Sequence, residues 1–200
     1  MSEFWVYFQI GLRHVLDLRG YDHILFLIAS VVPYTFKDWR KILLLVTIFT
    51  VGHTLALILS VFSIVTIKVR LVEFLIPLTI LITALYNLFS ASNNSKKENI
   101  NVMASVTIFF GVIHGLGFAA YFKPLLSGSP SDKFGPLFEF ALGIEAAQIV
   151  VVIMALLLAY ILHFFRISRR DYILVISAFV IGVIISAIVQ NEIWKSSLWE

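Results

Sequence analysis

The sequence predicts an all-α, polytopic membrane protein, a single transmembrane helical domain over 1–200 built as a bundle of six to seven helices. Three observations predict it. Residues of the AVILMFWYC set make up 60% of the chain and charged residues only 14%, where a soluble domain carries about 25% charge. A chain of 200 residues lacks the interior to hide that much apolar surface from water. The apolar runs are also long and continuous, which separates them from the alternating, roughly ten-residue strands of an outer-membrane barrel.

Taken in order, residues 4–18 hold Phe4, Trp5, Val6, Tyr7, Phe8, Ile10 and Leu12 but also Arg13, His14 and Asp17. This segment reads as a short or re-entrant helix. Residues 21–35 are apolar but brief, ending near Pro33. The next five stretches, 39–65, 69–89, 101–122, 136–165 and 171–191, each meet the roughly twenty apolar residues that a bilayer core requires. Their ends are punctuated by Lys37–Lys41, Lys68–Arg70, the polar run 90–101, the Gly/Ser/Pro run 127–130, and Arg166–Asp171. The N-terminus has an acid where a secretory signal needs basic residues, and no small-residue cleavage site, so no removable leader is expected.

The fifteen Lys and Arg residues form no basic face, so nucleic acid is not an expected partner. They report topology instead. Loops near 36–41, 90–100 and 166–171 alternate to one side and hold clustered Lys and Arg, including Lys96 and Lys97, which assigns them to the cytoplasm. The opposite side carries scattered bases such as Arg19, Lys68 and Lys195. The carboxyl terminus then faces outward. The absence of cysteine removes disulfides, thiolate metal sites and cysteine nucleophiles.

Ionisable residues inside spanning segments cost about 2.5–3.5 kcal/mol each on insertion scales, so each asks for a reason. They are His14, Asp22, His23, His53, Glu73, His114, Glu145 and His163, joined by the uncharged Asn87 and Gln148. His163, beside Arg166 at a helix end, reads as an interfacial side chain. Counted along the expected helices, His14, Asp22, His23, His53, His114 and Glu145 fall within roughly 0–18 Å of the outer surface at 1.5 Å per residue. A common depth on separate helices is what a convergent site requires. Imidazoles with carboxylates suit nickel, cobalt or zinc, and a cation offsets the carboxylate charge in a low dielectric. Simple interhelical hydrogen bonds, worth about 0.6 kcal/mol each, are the plainer account of any one of these residues. They explain the shared depth less well. Asp22 and His23 are adjacent, so either can orient the other instead of ligating. Gly111 and Gly115 form a GxxxG face beside His114, suited to close helix packing.

Five blocks then resemble the HupE/UreJ family, in the same order along the chain: Gly20-Tyr-Asp-His-Ile-Leu-Phe-Leu27, Phe49-Thr-Val-Gly-His-Thr-Leu55, Val72-Glu73 with Asn87, Phe110-Gly-Val-Ile-His-Gly-Leu-Gly-Phe118, and Gly143-Ile-Glu-Ala-Ala-Gln148. Together they cover about residues 10–150. The resemblance implies a multi-pass protein of the bacterial inner membrane, a hydrogenase or urease accessory factor of the nickel/cobalt permease type. It implies metal-linked roles for Asp22, His23, His53, His114 and Glu145. His14 stands seven intervening residues before Asp22, where nickel permeases of a related type carry a tighter His-x4-Asp-His motif. There is no long histidine-rich loop.

Two functions follow from these residues. The first is a divalent transition-metal permease with a His/carboxylate site in the outer half of the membrane. The second is an intramembrane zinc-dependent hydrolase acting on a lipid or lipid-anchored substrate at the outer leaflet, with Glu145 or Asp22 as general base. The expected partners are the lipid bilayer and a metal ion, with a second copy of the chain or metalloenzyme-maturation proteins as further classes.

Overall fold

The computed structural model describes residues 3–92, 100–126 and 128–194. Among them are seven α-helices and no strand: α1 (Glu3–Leu16), α2 (Asp22–Val31), α3 (Trp39–Val61), α4 (Val69–Ser92), α5 (Ile100–Phe122), α6 (Phe134–Phe164) and α7 (Arg169–Val189). The expected loop bases Lys96, Lys97 and Lys195 lie outside the described residues.

The last five helices are long and apolar enough to cross a membrane. Their outer faces carry large exposed apolar side chains, such as Leu44, Val51 and Leu55 on α3 and Met154, Leu157 and Leu158 on α6. Such faces belong against lipid, where leaving an apolar side chain uncovered costs nothing.

The two N-terminal helices differ. At 1.5 Å per residue, the 14 residues of α1 extend about 21 Å and the 10 of α2 about 15 Å, short of a roughly 30 Å core. On α2, His23, Leu25, Phe26, Leu27, Ala29, Ser30 and Val31 are all buried. A helix apolar nearly all round belongs inside, and α2 packs against α1, α4, α6 and α7. Enclosed by other helices, it does not have to match the bilayer thickness.

The helices pair closely as α3 with α5, α1 with α6 and α4 with α7. Glycine makes two of these seams. A Cβ on Gly11 would strike the backbone of Phe140, and one on Gly143 the backbone of Phe8, so α1 and α6 cross with each glycine seated against the other helix. Gly111 and Gly115 do the same against Phe49 and His53 of α3, and Gly52 answers from the α3 side, where a Cβ would lie 2.6 Å from the Ile108 carbonyl oxygen. The expected GxxxG face is therefore a backbone-to-backbone contact on the segment that carries His53.

Several helix ends fall short of their sequence boundaries for physical reasons. The helix expected over 21–35 stops at Val31: Val32 is still helical and bonds back to the Ile28 carbonyl, but Pro33 has no N–H with which to continue the ladder. The freed Pro33 carbonyl accepts a hydrogen bond from the Arg169 guanidinium. The helix expected to reach 65 stops at Val61. Ser63 takes a left-handed φ of 59°, and the Ile64 amide returns to the Leu59 carbonyl at 2.8 Å, a C-terminal cap of the Schellman kind. Arg166, with φ 65°, ends α6 the same way, through the Ile167 amide and the Leu162 carbonyl.

Proline inside α4 needs a different remedy. Pro77 has no N–H, so it leaves the carbonyl four residues earlier without its helical donor. That carbonyl belongs to Glu73, and the Asn191 side-chain amide, just beyond the end of α7, donates to it at 3.2 Å.

Candidate metal centre

Four histidines from four helices meet where α1, α2, α3 and α5 converge. His14 lies in the last turn of α1, His23 in the first turn of α2, His53 in α3 and His114 in α5. The His14 and His23 rings are 4.5 Å apart, His14 and His53 5.7 Å, His23 and His53 6.0 Å, and His23 and His114 4.9 Å between centroids. One ring nitrogen from each of His14, His23 and His53 lies within 4.8 Å of the others. Because α3 and α5 run side by side in the same direction, His53 and His114 share a level, each eight residues before its helix end at Val61 and Phe122. That is about 12 Å from those ends, and for His53 it is nearer than the twelve residues counted from an end at 65.

Hydrogen bonds set the tautomers. The Nδ1 of His23 lies 3.1 Å from Asp22 Oδ1, which also accepts from the His23 backbone N–H at 2.9 Å. Its Nδ1–H therefore points to the carboxylate, which leaves Nε2 as a bare lone pair. His114 Nδ1 is 2.9 Å from the Phe110 carbonyl, with the same consequence. A carboxylate or carbonyl that orients an imidazole in this way is a usual support for a metal-binding histidine. Asp22 thus fixes the orientation of the His23 ring.

The other ring nitrogens are orphaned. His14 Nε2, His23 Nε2, both nitrogens of His53 and His114 Nε2 are buried with no hydrogen-bond partner. His53 is 0% exposed and His114 1%. A buried polar nitrogen left unpaired costs about 1–3 kcal/mol; one of the two on His53 must carry its proton, so at most four are bare lone pairs, and gathered in one place they are a standing cost that a cation would reduce. Zinc–imidazole bonds of about 2.0–2.1 Å put the donors of a shared ion roughly 3.3 Å apart, a modest contraction from the spacing here. The walls are aromatic: Phe118 lies 3.7 Å from the His14 ring, Phe49 5.3 Å from His114, and Phe140 6.1 Å from His53. The residues present fit a nitrogen-coordinated transition metal in a water-poor pocket.

Glu145 is placed elsewhere. Its carboxylate accepts a 2.6 Å hydrogen bond from Thr47, which belongs to the exposed α3 stripe of Leu44, Val51 and Leu55. The histidine group does not include it. Its neighbour Gln148 turns inward, fully buried, with Oε1 2.8 Å from the Thr50 hydroxyl. Asn87 donates to the Ala29 carbonyl at 2.6 Å and ties α4 to α2. The aromatic walls and the Thr47 partner escaped sequence reasoning. The two three-residue spacings run in opposite directions on α3 and α6, so the sequence carries no spacing signal for the Thr47 partner.

Beside Asp22 a cleft of about 240 Å³ is lined by Arg19, Tyr21, Glu73, Pro77 and Asn191, among others. It brings the Asp22 carboxylate, 30% exposed, to the surface. A family model described as HupE / UreJ protein matches residues 1–192.

The chain belongs to the HupE/UreJ family.

No curated protein and no solved structure matches it. As a HupE/UreJ membrane protein, it is placed by its family among nickel/cobalt accessory or transport proteins. Its His14, His23 and His53 could hold such a metal.

Proposed function

We propose that this HupE/UreJ protein is a permease of the bacterial inner membrane for a divalent transition metal of the nickel/cobalt type. The cation is its substrate. It arrives through the cleft beside Asp22 and Glu73 and exchanges water for the ring nitrogens of His14, His23 and His53, with His114 beside them. Asp22 holds His23 in its ligating tautomer. The observation that carries this reading is the set of five orphaned, buried ring nitrogens from four helices. Such a nitrogen set suits nickel, cobalt or zinc and is a poor match for magnesium or calcium. Transport is favoured over hydrolysis because both carboxylates considered as general bases are engaged, Asp22 with His23 and Glu145 with Thr47 at the lipid edge.

The test uses purified protein in detergent and in proteoliposomes. Wild type is expected to bind one Ni²⁺ or Co²⁺ and to carry it across the membrane. His23→Ala and His53→Ala are each expected to weaken binding at least tenfold and to remove uptake. A wild-type protein that binds metal but transports none, and hydrolyses a lipid ester or amide, would overturn the permease reading.

A further inference from the structure

The Thr50 hydroxyl lies 2.8 Å from Gln148 Oε1 and 3.2 Å from the Val46 carbonyl oxygen. It has one proton and cannot donate to both. Val46 can only accept. Amide oxygen and nitrogen are interchangeable in shape, so the hydrogen-bond network decides their positions. If Gln148 keeps its oxygen towards Thr50, both protons of its buried Nε2 are left unpaired. Turned over, the amide donates one proton to the Thr50 oxygen while Thr50 donates to Val46. One unpaired N–H is then left instead of two, beside a free carbonyl oxygen, which tolerates burial without a partner better than an N–H does.

Thr50 lies three residues from His53, on the same side of α3. It is about 4.5 Å nearer the Trp39 end, the end flanked by Lys37, Arg40 and Lys41. Gln148 is 0% exposed and Thr50 5%. We propose that the Gln148 carbonyl oxygen, fixed by Thr50, is a second station for the cation, taking it or one of its waters as it leaves the histidines for the cytoplasmic side. This rests on the permease reading. A neutral amide oxygen binds such a metal more weakly than imidazole, which is what a step towards release requires.

The experiment measures equilibrium Ni²⁺ binding in detergent and Ni²⁺ uptake in proteoliposomes, with flux expressed per binding-competent molecule. Gln148→Leu is expected to bind Ni²⁺ within about threefold of wild type but to lose at least tenfold in flux. Gln148→Glu, which adds a full charge at the station, is expected to tighten binding at least tenfold and also to slow flux. Thr50→Val keeps the bulk while releasing the amide and is expected to cut flux about fivefold. It serves if either Gln148 variant fails to fold. Flux within twofold of wild type in Gln148→Leu or Thr50→Val, or unchanged binding in Gln148→Glu, overturns the second station while leaving the permease reading intact. A wild-type protein that binds no Ni²⁺ overturns the permease reading itself.

Discussion

Two threonines three residues apart on α3 reach two polar side chains three residues apart on α6. Thr47 meets Glu145 at 2.6 Å, and Thr50 meets Gln148 at 2.8 Å. Helix pair, donor type and spacing are the same, and because α3 and α6 run in opposite directions the step of about 4.5 Å along α3 is answered by an equal step the other way along α6, which leaves the two pairs at nearly one level. Three residues leave the helix direction about 60° short of a full turn, and that rotation separates their surroundings. Thr47 is exposed at the lipid edge, whereas Thr50 and Gln148 are buried beside the histidines. Depth alone does not place a polar group in a membrane site; rotation about the helix axis does.

The strongest way to break the buried half is through its backbone. Gly115→Leu would drive a side chain into the His53 carbonyl and Ala56. Overpacking on this scale costs about 3 kcal/mol, and metal binding should fall below detection. Gly182 of α7, with nothing within 4 Å of its Cβ position, is the control: Gly182→Ala should unfold no earlier than wild type in a thermal melt.

Proton competition comes next. A histidine must be neutral to ligate, so acid opposes the metal. As pH falls through the range where the histidines protonate, Kd should rise, by up to about tenfold per pH unit for each competing proton. Isothermal titration with Ni²⁺ across that range reads the slope. A flat profile would remove imidazole from the ligand set.

Smaller effects compare the two pairs directly. Thr50→Val leaves the Gln148 amide without its buried partner and should cost about 1–3 kcal/mol. Thr47→Val removes a bond at the lipid edge and should cost about 0.6 kcal/mol. Chemical denaturation of both variants in one detergent would reverse the assignment of buried and peripheral pairs if the order inverted. The smallest expected effect is that of Glu145→Gln on metal stoichiometry, namely none. Loss of bound metal in that variant would return Glu145 to the ligand set.

Much of this was legible in the sequence. Continuous apolar runs announce the five long helices. The burden of ionisable groups in a membrane singles out His14, His23, His53 and His114, which meet as a common depth on separate helices suggests. Glu145 has the same credentials of type and depth, yet it points to Thr47. Which way each helix is turned depends on partners distant in the chain, and for α6 one of them is the contact of Gly11 with Phe140. The short α2 was hard to recognise for a related reason. Its length departs from the bilayer rule because other helices enclose it, a property of the assembled bundle that ten residues cannot reveal.

The Glu73 carbonyl has a bearing on how the chain is made. Pro77 deprives it of its helical donor, and the replacement, Asn191, lies near the far end of the chain. Glu73 and Asn191 both line the cleft beside Asp22, so until α7 arrives only water entering there can serve this carbonyl. During synthesis α4 would therefore wait for α7, more than a hundred residues later, before its last hydrogen bond could form. Completion of the seam between them would mark the end of assembly, and a chain truncated before Asn191 would keep a weak point in α4 directly beside the cleft that leads to Asp22.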